Sequence, residues 1–177
     1  MALITLQEFQ AYTKTFDDAD LMSQIYMGAA EQIVIDYLGY NPELDDFSEF
    51  LSGSDSRRIR LSSKPITEIT SVTINGESVS LDQFYIREEY LTFFDPGKKF
   101  PKGDENVQVE YKAGWVEVPQ IIKLTTLRIA ALMNTEADGN IGVTSKSFGD
   151  SGSRTFISVT KYDKYLFPLN EFRITKI

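Results

Sequence analysis

The chain has 177 residues, of which 42% are hydrophobic and 12% aromatic, so it is long and apolar enough to bury a sizeable core. A formal net charge of −8 at pH 7 argues against a protein that binds DNA tightly, because affinity for phosphates comes from lysine and arginine. The absence of cysteine and histidine excludes disulfides and thiolate ligands and removes the commonest general base. No apolar run approaches the ~20 residues of a membrane span, and no secretory signal is visible, so we expect an intracellular, soluble protein without membrane contact.

The N-terminal part predicts two helices. Thr5 and Glu8 form a capping-box pattern, which predicts a short helix over residues 6–12. Apolar residues then recur at helical spacing over residues 21–38, which predicts a long helix with a broad apolar face. Gly39 follows at the position of a left-handed C-cap, so we expect this helix to end there.

The middle of the chain predicts a β region over residues 57–112. The acidic, turn-rich residues 41–56 before it predict a surface connection with at most a short helical turn. Alternating apolar and polar residues then mark several strands, and Asn75-Gly76 is a strong hairpin signal. Because these strands are short and close in sequence, we expect a meander-like antiparallel sheet or barrel that ends with residues 107–111.

The last third of the chain predicts one buried helix and a docking tail. Pro119 suits the first turn of a helix, and apolar residues recur at helical spacing after it. Residues 138–153 are rich in Gly, Ser, Asn and Asp, which predicts a mobile loop or one ordered by a partner. A short strand at residues 155–159 and a helical turn at residues 162–167, broken near Pro168, lead to an apolar tail that we expect to dock.

Together these elements predict an α+β fold, in which N-terminal and C-terminal helices form a helical core with a small antiparallel β insertion between them. We expect a single domain over residues 1–177. The N-terminal helices occupy residues 1–56 and the β insertion occupies residues 57–112. The core helix follows at residues 113–138, and the mobile loop with the docking tail occupies residues 139–177.

No motif predicts a catalytic, cofactor-binding or metal site. Residues 149–152 (Gly-Asp-Ser-Gly) look like the nucleophile loop of a serine protease. A serine nucleophile needs a base. Without histidine, a pairing with Lys146 or Lys161 is conceivable, but a flexible loop is the favoured interpretation. Three aspartates in residues 17–20 suit the positive end of a helix dipole, and they lack the central glycine and distal glutamate of a calcium loop.

The densest positive patch contains Arg57, Arg58 and Arg60. Alternate residues of a strand share a face, so Arg58 and Arg60 are expected on the same side. Two interpretations stay open. The charges protect an edge strand from aberrant pairing, or they form a salt-bridging surface toward an acidic neighbouring subunit.

Several short segments stand out in order along nearly the whole chain. They are Ala29-Ala30, Tyr37-Leu38-Gly39, Arg60-Leu61 with Pro65, Ile66, Ile69 and Val72, then Val109, Tyr111, Ala113, Gly114, Trp115, Val118, Pro119, Ile122 and Lys123, and finally Leu166, Pro168 and Phe172-Arg173. This ordered set resembles the phage head–tail connector (adaptor) family of tailed phages and prophages. The tail departs from the family pattern, because several residues follow Leu169.

The resemblance implies a structural virion protein and not an enzyme. It implies a homo-oligomeric, dodecameric ring in the virion neck, made in the bacterial cytoplasm, that sits under the portal protein and extends the channel through which DNA passes without specific binding. The ring would also dock the next connector, stopper or tail protein. The implied portal contacts are Leu166, Phe167, Leu169, Phe172, Arg173, Ile174 and Ile177. The loop over residues 139–153 would contact a neighbouring subunit or the next connector protein, and the residues assigned to this contact are Lys146, Phe148, Asp150 and Arg154. Arg58 and Arg60 would make a separate charged contact between subunits.

Three other functions are weighed against this one. A stopper-like or tail-completion virion protein would bind a tail tube and not the portal. A binding module for a glycan or peptide would show an exposed aromatic platform from Tyr85, Tyr90 or Phe93. An enzyme would have to work with paired carboxylates alone, and no such pair stands out in the sequence.

Overall fold

A computed structural model describes residues 2–14, 21–137, 145–148, 152–155 and 162–174. Two compact units divide the chain: residues 1–39 with 119–177 form a helical unit, and residues 40–118 form a β unit. The mixed helices and antiparallel sheets confirm the predicted α+β class. The helices are α1 (Leu6–Thr13), α2 (Leu21–Leu38), α3 (Gln120–Ala137) and α4 (Asp163–Leu166), with 3₁₀ helices at Leu81–Gln83 and Phe167–Phe172. The strands are β1 (Asp45–Gly53), β2 (Arg58–Arg60), β3 (Ile66–Ile74), β4 (Glu77–Ser78), β5 (Phe84–Arg87), β6 (Tyr90–Phe93), β7 (Gly103–Ala113), β8 (Ser145–Phe148) and β9 (Gly152–Thr155).

The N-terminal helices form as their local sequence predicts. The Thr5 hydroxyl accepts a hydrogen bond from the Glu8 N–H at 3.2 Å, and the Glu8 carboxylate accepts one from the Thr5 N–H at 2.7 Å. This reciprocal capping box satisfies two N–H groups that the first turn of α1 leaves unpaired. Gly39 has a φ of 84° directly after α2, which confirms the predicted left-handed end of that helix.

Helix α3 packs against both α1 and α2 within the helical unit. The residues that α2 buries recur along one stripe: Met27, Ala30, Val34 and Leu38. On α3 the fully buried apolar residues are Ile122, Ile129 and Ala130. Ala30 on α2 and Ala130 on α3 have small side chains and are fully buried. Small residues at buried positions of a helix allow a neighbouring element to pack closely against it.

The C-terminal part agrees with its prediction in one place and differs from it in another. The helical turn expected at residues 162–167 forms as α4, which ends at Leu166, and Pro168 lies in the first turn of the 3₁₀ helix that follows, where an N–H group is not needed. Part of the expected loop forms an antiparallel pair, with β8 beside β9. The rest of that loop lies outside the described residues. So does the strand expected at residues 155–159, apart from Thr155, which is the last residue of β9.

The β unit contains a four-stranded sheet in the order β1-β7-β3-β4 and a three-stranded sheet in the order β2-β6-β5. The expected meander is wrong, because β7 lies between β1 and β3 and so joins the two ends of the unit. The expected surface connection over residues 41–56 is also wrong, since most of it forms β1. The hairpin at Asn75-Gly76 is confirmed, with φ values of 52° and 82°.

Strand β1 was not predicted because a charged residue lies on its inner face and a large apolar residue lies on its outer face. Glu49 lies on the same side as the half-buried Phe47 and Leu51, whereas Phe50 points outward and is 60% exposed. The Glu49 carboxylate accepts hydrogen bonds from the Tyr111 hydroxyl and the Ser62 hydroxyl. These bonds compensate for placing a carboxylate on the inner face of a strand.

The core of the β unit is built from the inner residues of β7 and a group of aromatic rings. Val107, Val109, Tyr111 and Ala113 alternate along β7 and are all buried, so one face of this strand belongs to the core. The rings of Phe84, Phe93 and Phe100 contact one another, with centroids 4.5–5.9 Å apart. Tilted and offset ring pairs at such distances add to the stabilisation that comes from burial itself.

Candidate interaction surfaces

The outer face of the three-stranded sheet carries arginines and tyrosines. Register pairs Arg58 with Thr92 and Arg60 with Tyr90. The same register places Tyr85 beside Thr92 and Arg87 beside Tyr90. Residues that are directly opposite one another, or two apart along a strand, share one face of a sheet. We call this set the arginine–tyrosine face: Arg58, Arg60, Tyr85, Arg87, Tyr90 and Thr92. The opposite face belongs to the core.

Arg57 and Arg58 cover the two tyrosine rings of this face. The Arg58 guanidinium carbon lies 4.8 Å from the centroid of the Tyr90 ring, and that of Arg57 lies 6.0 Å from the Tyr85 ring. Both distances allow a cation–π attraction. The bare aromatic platform that would indicate a glycan-binding module is therefore absent at Tyr85 and Tyr90, and Phe93 is 3% exposed.

Arg60 differs from Arg58 although both lie on one strand face, as predicted. The Arg60 guanidinium pairs with the Glu89 carboxylate at 3.3 Å, and both side chains are largely shielded from solvent. Arg60 is thus already neutralised within its own subunit. The sequence could not show this, because Glu89 reaches Arg60 only through the hairpin that joins β5 to β6.

A cavity of about 310 Å³ opens on the arginine–tyrosine face. Its lining residues are Arg57, Arg58, Tyr85, Arg87, Glu88, Tyr90 and Thr92. Sequence reasoning missed Arg87 as a member of this group. The available signal was the hairpin register: counting back from the turn at Glu88 pairs Arg87 with Tyr90.

The predicted portal-contacting tail divides into buried and exposed residues. Leu166, Leu169 and Ile174 are 5%, 0% and 7% exposed in the helical unit, and the Ile174 N–H donates a hydrogen bond to the Leu38 carbonyl at 2.8 Å. Phe167 is 71% exposed. Much of the tail's apolar surface is thus used to fix the tail on its own subunit, while Phe167 stays available.

The polar end of this tail contacts α2. The guanidinium carbon of Arg173 lies 5.0 Å from the centroid of the Tyr37 ring, and the Tyr37 hydroxyl donates a hydrogen bond to the Asn170 side-chain carbonyl at 2.5 Å. Phe172 is half-buried. Ile177, the last of the predicted tail contacts, lies outside the described residues.

The predicted subunit-contacting loop is described through its backbone only. Lys146 faces Arg154 in the β8–β9 pair, and Phe148 faces Gly152. Asp150, the fourth predicted residue, lies outside the described residues, as does most of the Gly-Asp-Ser-Gly segment.

Sequence reasoning also missed the exposed apolar stripe at the start of α2. Leu21, Met22 and Ile25 are 69%, 43% and 50% exposed. The helix is apolar nearly all round, and such a helix is normally buried on all sides. The apolar residues on all sides of α2 were the available signal. Since only one stripe of α2 is needed to pack against α3, the remaining apolar residues indicate an exposed apolar surface.

Hydrogen bonds contribute to the perturbed pKa of two ionisable groups. Burial and the hydrogen bond to Glu49 raise the pKa of the Tyr111 hydroxyl well above its usual range. The hydrogen bond from the Thr5 N–H, helped by Lys123, lowers the pKa of Glu8 from its ordinary value of 4.5. Both groups stabilise local structure. Across the described ranges, acidic side chains form no group suited to a metal ion, and no helix there is long and apolar enough to cross a membrane.

Comparison with solved structures defines the class of the fold. One similar chain comes from the neck of an empty gene transfer agent particle computed with C6 symmetry, with a TM-score of 0.63, 12% identity and coverage of 99% of this chain and 91% of that one. Another comes from the neck of the native particle computed with C12 symmetry, with a TM-score of 0.59, 13% identity and coverage of 97% and 89%. A chain from the virion of the native gene transfer agent particle is also similar, with a TM-score of 0.59 and 13% identity, and the match covers 99% of this chain and 91% of that one.

The sequence matches the head completion protein family over residues 2–153. Since this match spans most of the chain, the protein belongs to the head completion protein family. The family and the shared fold confirm the resemblance to phage head–tail connectors that the sequence suggested. No curated protein matches the sequence.

Proposed function

We propose that this protein is a structural head–tail connector of a virion neck. In this proposal it forms a homo-oligomeric ring beneath the portal protein, extends the channel for DNA and docks the next tail-ward protein. The observation that carries the proposal is membership of the head completion protein family over residues 2–153. A fold shared with chains from particle necks that were computed with C6 and C12 symmetry supports the ring.

A ring of identical subunits requires two different, complementary surfaces on each subunit. We assign the portal contact to the tail, with Phe167 and Arg173 as its outward groups and Leu166, Leu169 and Ile174 as the anchors that fix them. The β8–β9 hairpin and Asp150 are assigned to a neighbouring subunit or the next connector protein. Of the two arginines proposed for subunit contacts, Arg58 suits the role better, because Arg60 already pairs with Glu89.

The net charge of −8 supports a channel through which DNA passes without specific binding. Lysines and arginines bind a polyanion by neutralising its phosphates, which releases the counterions bound there. An acidic ring has no excess of such residues over its carboxylates. The proposed location is the neck of a virion assembled in the bacterial cytoplasm.

The experiment is native mass spectrometry of the purified protein, alone and mixed with the portal protein encoded beside it. The expected result is a ring alone, or a complex in which this protein and the portal have matching symmetry. A monomer that ignores the portal but binds a tail tube would favour a stopper-like or tail-completion protein. A strict monomer that binds neither would refute a structural role in the neck.

A further inference from the structure

We propose that the cavity on the arginine–tyrosine face is a carboxylate-binding site, which receives an acidic side chain from a second copy of this chain. The inference rests on the proposed ring and goes beyond it by naming the residues and the chemistry of one subunit contact. Its geometric basis is a concave site of about 310 Å³ with three guanidinium groups in its lining.

Arg57 forms the rigid side of this site. Its Nε donates a hydrogen bond to the Phe93 carbonyl at 2.8 Å, and one terminal nitrogen donates to the Phe94 carbonyl at 2.8 Å. Carbonyl groups fix the guanidinium without neutralising its charge. The positive charge is thus held in place before any ligand arrives, which lowers the entropic cost of binding.

Arg58 and Arg87 supply the donors that face the ligand. Both side chains are exposed, and Arg58 is held in position by the Tyr90 ring. Among the ion pairs within the described part of the chain, none involves Arg57, Arg58 or Arg87. Guanidinium groups bind carboxylates through two parallel hydrogen bonds, so two exposed arginines beside a fixed third suit one incoming carboxylate.

A protein carboxylate suits the site better than a DNA phosphate backbone. The cavity has room for a side chain and not for a duplex. Duplex DNA is bound by basic surfaces that extend along its backbone, whereas this positive group is local in a chain of net charge −8. The same acidic excess means that every neighbouring copy offers many carboxylates.

The first test reverses the two exposed charges with Arg58→Glu and Arg87→Glu in one variant. Ring assembly is followed by mass photometry over a range of subunit concentrations, alone and with the portal protein. Because the two cations that face the incoming carboxylate are replaced by carboxylates that repel it, the concentration for half-assembly should rise by about tenfold or more. The matched control is Lys98→Glu with Lys102→Glu, which changes the charge of the same unit equally at two other exposed side chains and should assemble as the wild type does.

The second test identifies the ligand by zero-length cross-linking. The Arg87→Lys variant places an amine in the site, and a carbodiimide joins that amine to a neighbouring carboxylate as an amide while the reagent is released as a urea. Rings are assembled from isotopically heavy and light subunits, so that a peptide containing both labels proves a link between copies. The expected product is such a mixed peptide containing residue 87, and it also identifies the donating carboxylate.

The outcomes separate this inference from the proposed function. Suppose that the variant with Arg58→Glu and Arg87→Glu assembles into rings as the wild type does, and that residue 87 of Arg87→Lys is cross-linked only to Glu88 of the same copy. These results would overturn the carboxylate site and leave the connector function standing. Loss of duplex DNA binding by the arginine variant, with normal ring assembly, identifies a phosphate site and equally overturns it. A wild type that forms no ring, alone or on the portal, refutes the proposed function and removes the neighbour that the inference requires.

Discussion

The two units of this protein treat their apolar residues differently. The β unit encloses the rings of Phe84, Phe93 and Phe100, but Phe50 and Phe94, on other parts of the unit, are 60% and 57% exposed. The helical unit buries one stripe of α2 but leaves Leu21 69% and Ile25 50% exposed at the start of the same helix. Both units thus expose some apolar side chains, but those of the β unit are scattered over several elements, whereas those of α2 lie together on one helix.

The charged residues of the two units differ as well. In the β unit the outer face of a sheet carries several arginines, and only Arg60 among them is paired with a carboxylate in the described part of the chain. In the helical unit, Lys123 pairs with Glu8 at 3.2 Å beside the α1 cap. Within the described residues, the β unit thus has a group of arginines without carboxylate partners and the helical unit a group of adjacent exposed apolar side chains, so substitutions in the two units should affect different measurements.

The largest expected effect lies in the aromatic core of the β unit. Phe100→Ala removes a ring that touches both Phe84 and Phe93 and leaves a cavity, so the free energy of unfolding should fall by about 3–5 kcal/mol. Urea unfolding followed by circular dichroism measures this loss. Phe50→Ala, at an exposed ring of β1, is the control and should change the same quantity by less than about 0.5 kcal/mol. Equal losses for the two variants would contradict a core centred on Phe100.

Signals between residues close in sequence predicted most of the helices and the hairpin. The strand that was not predicted depends on contacts between residues far apart in the chain. The capping box at Thr5, the period of α2 and the hairpin at Asn75-Gly76 depend on neighbours within a few residues, and each was predicted correctly. Strand β1 depends on Tyr111, far along the chain, to accommodate the inward-facing Glu49. No pattern within residues 41–56 contains that information.

The candidate site shows the same division. Strand alternation correctly placed Arg58 and Arg60 on one face, because the period of a strand is local. Their different roles follow from Glu89, which only the register of the β5–β6 hairpin brings beside Arg60. The membership of Arg87 in the same surface depends on that register as well.

The second prediction separates anchoring from docking within the tail. Leu169→Ala removes a fully buried side chain of the helical unit and should lower the free energy of unfolding by about 2–5 kcal/mol. Phe167→Ala removes an exposed ring two residues away and should change that free energy by less than about 0.5 kcal/mol. Under the proposed function, Phe167→Ala should instead weaken binding to the portal protein, as measured by co-sedimentation. A tail in which Phe167 proves the more stabilising residue would reverse the assignment of anchor and contact.

The smallest expected effect concerns the α1 cap of the helical unit. Thr5→Ala removes the hydroxyl that accepts the Glu8 N–H and should cost about 1 kcal/mol of unfolding free energy. Gln7→Ala, at an exposed position of the same first turn, is the control and should change it by less than about 0.5 kcal/mol. Both are measured by thermal or urea unfolding at neutral pH.

The Glu8 half of the same cap adds a pH dependence of definite sign. Folding lowers the pKa of Glu8 below its ordinary value of 4.5, so the folded state binds its proton less readily than the unfolded state does. The contribution of the charged carboxylate is therefore present above pH 4.5 and is lost as pH falls through the lower, folded pKa. The difference in unfolding free energy between the wild type and Glu8→Gln should shrink on acidification over that range. A difference that grows as pH falls would mean that the Thr5 N–H and Lys123 do not stabilise the ionised form of Glu8.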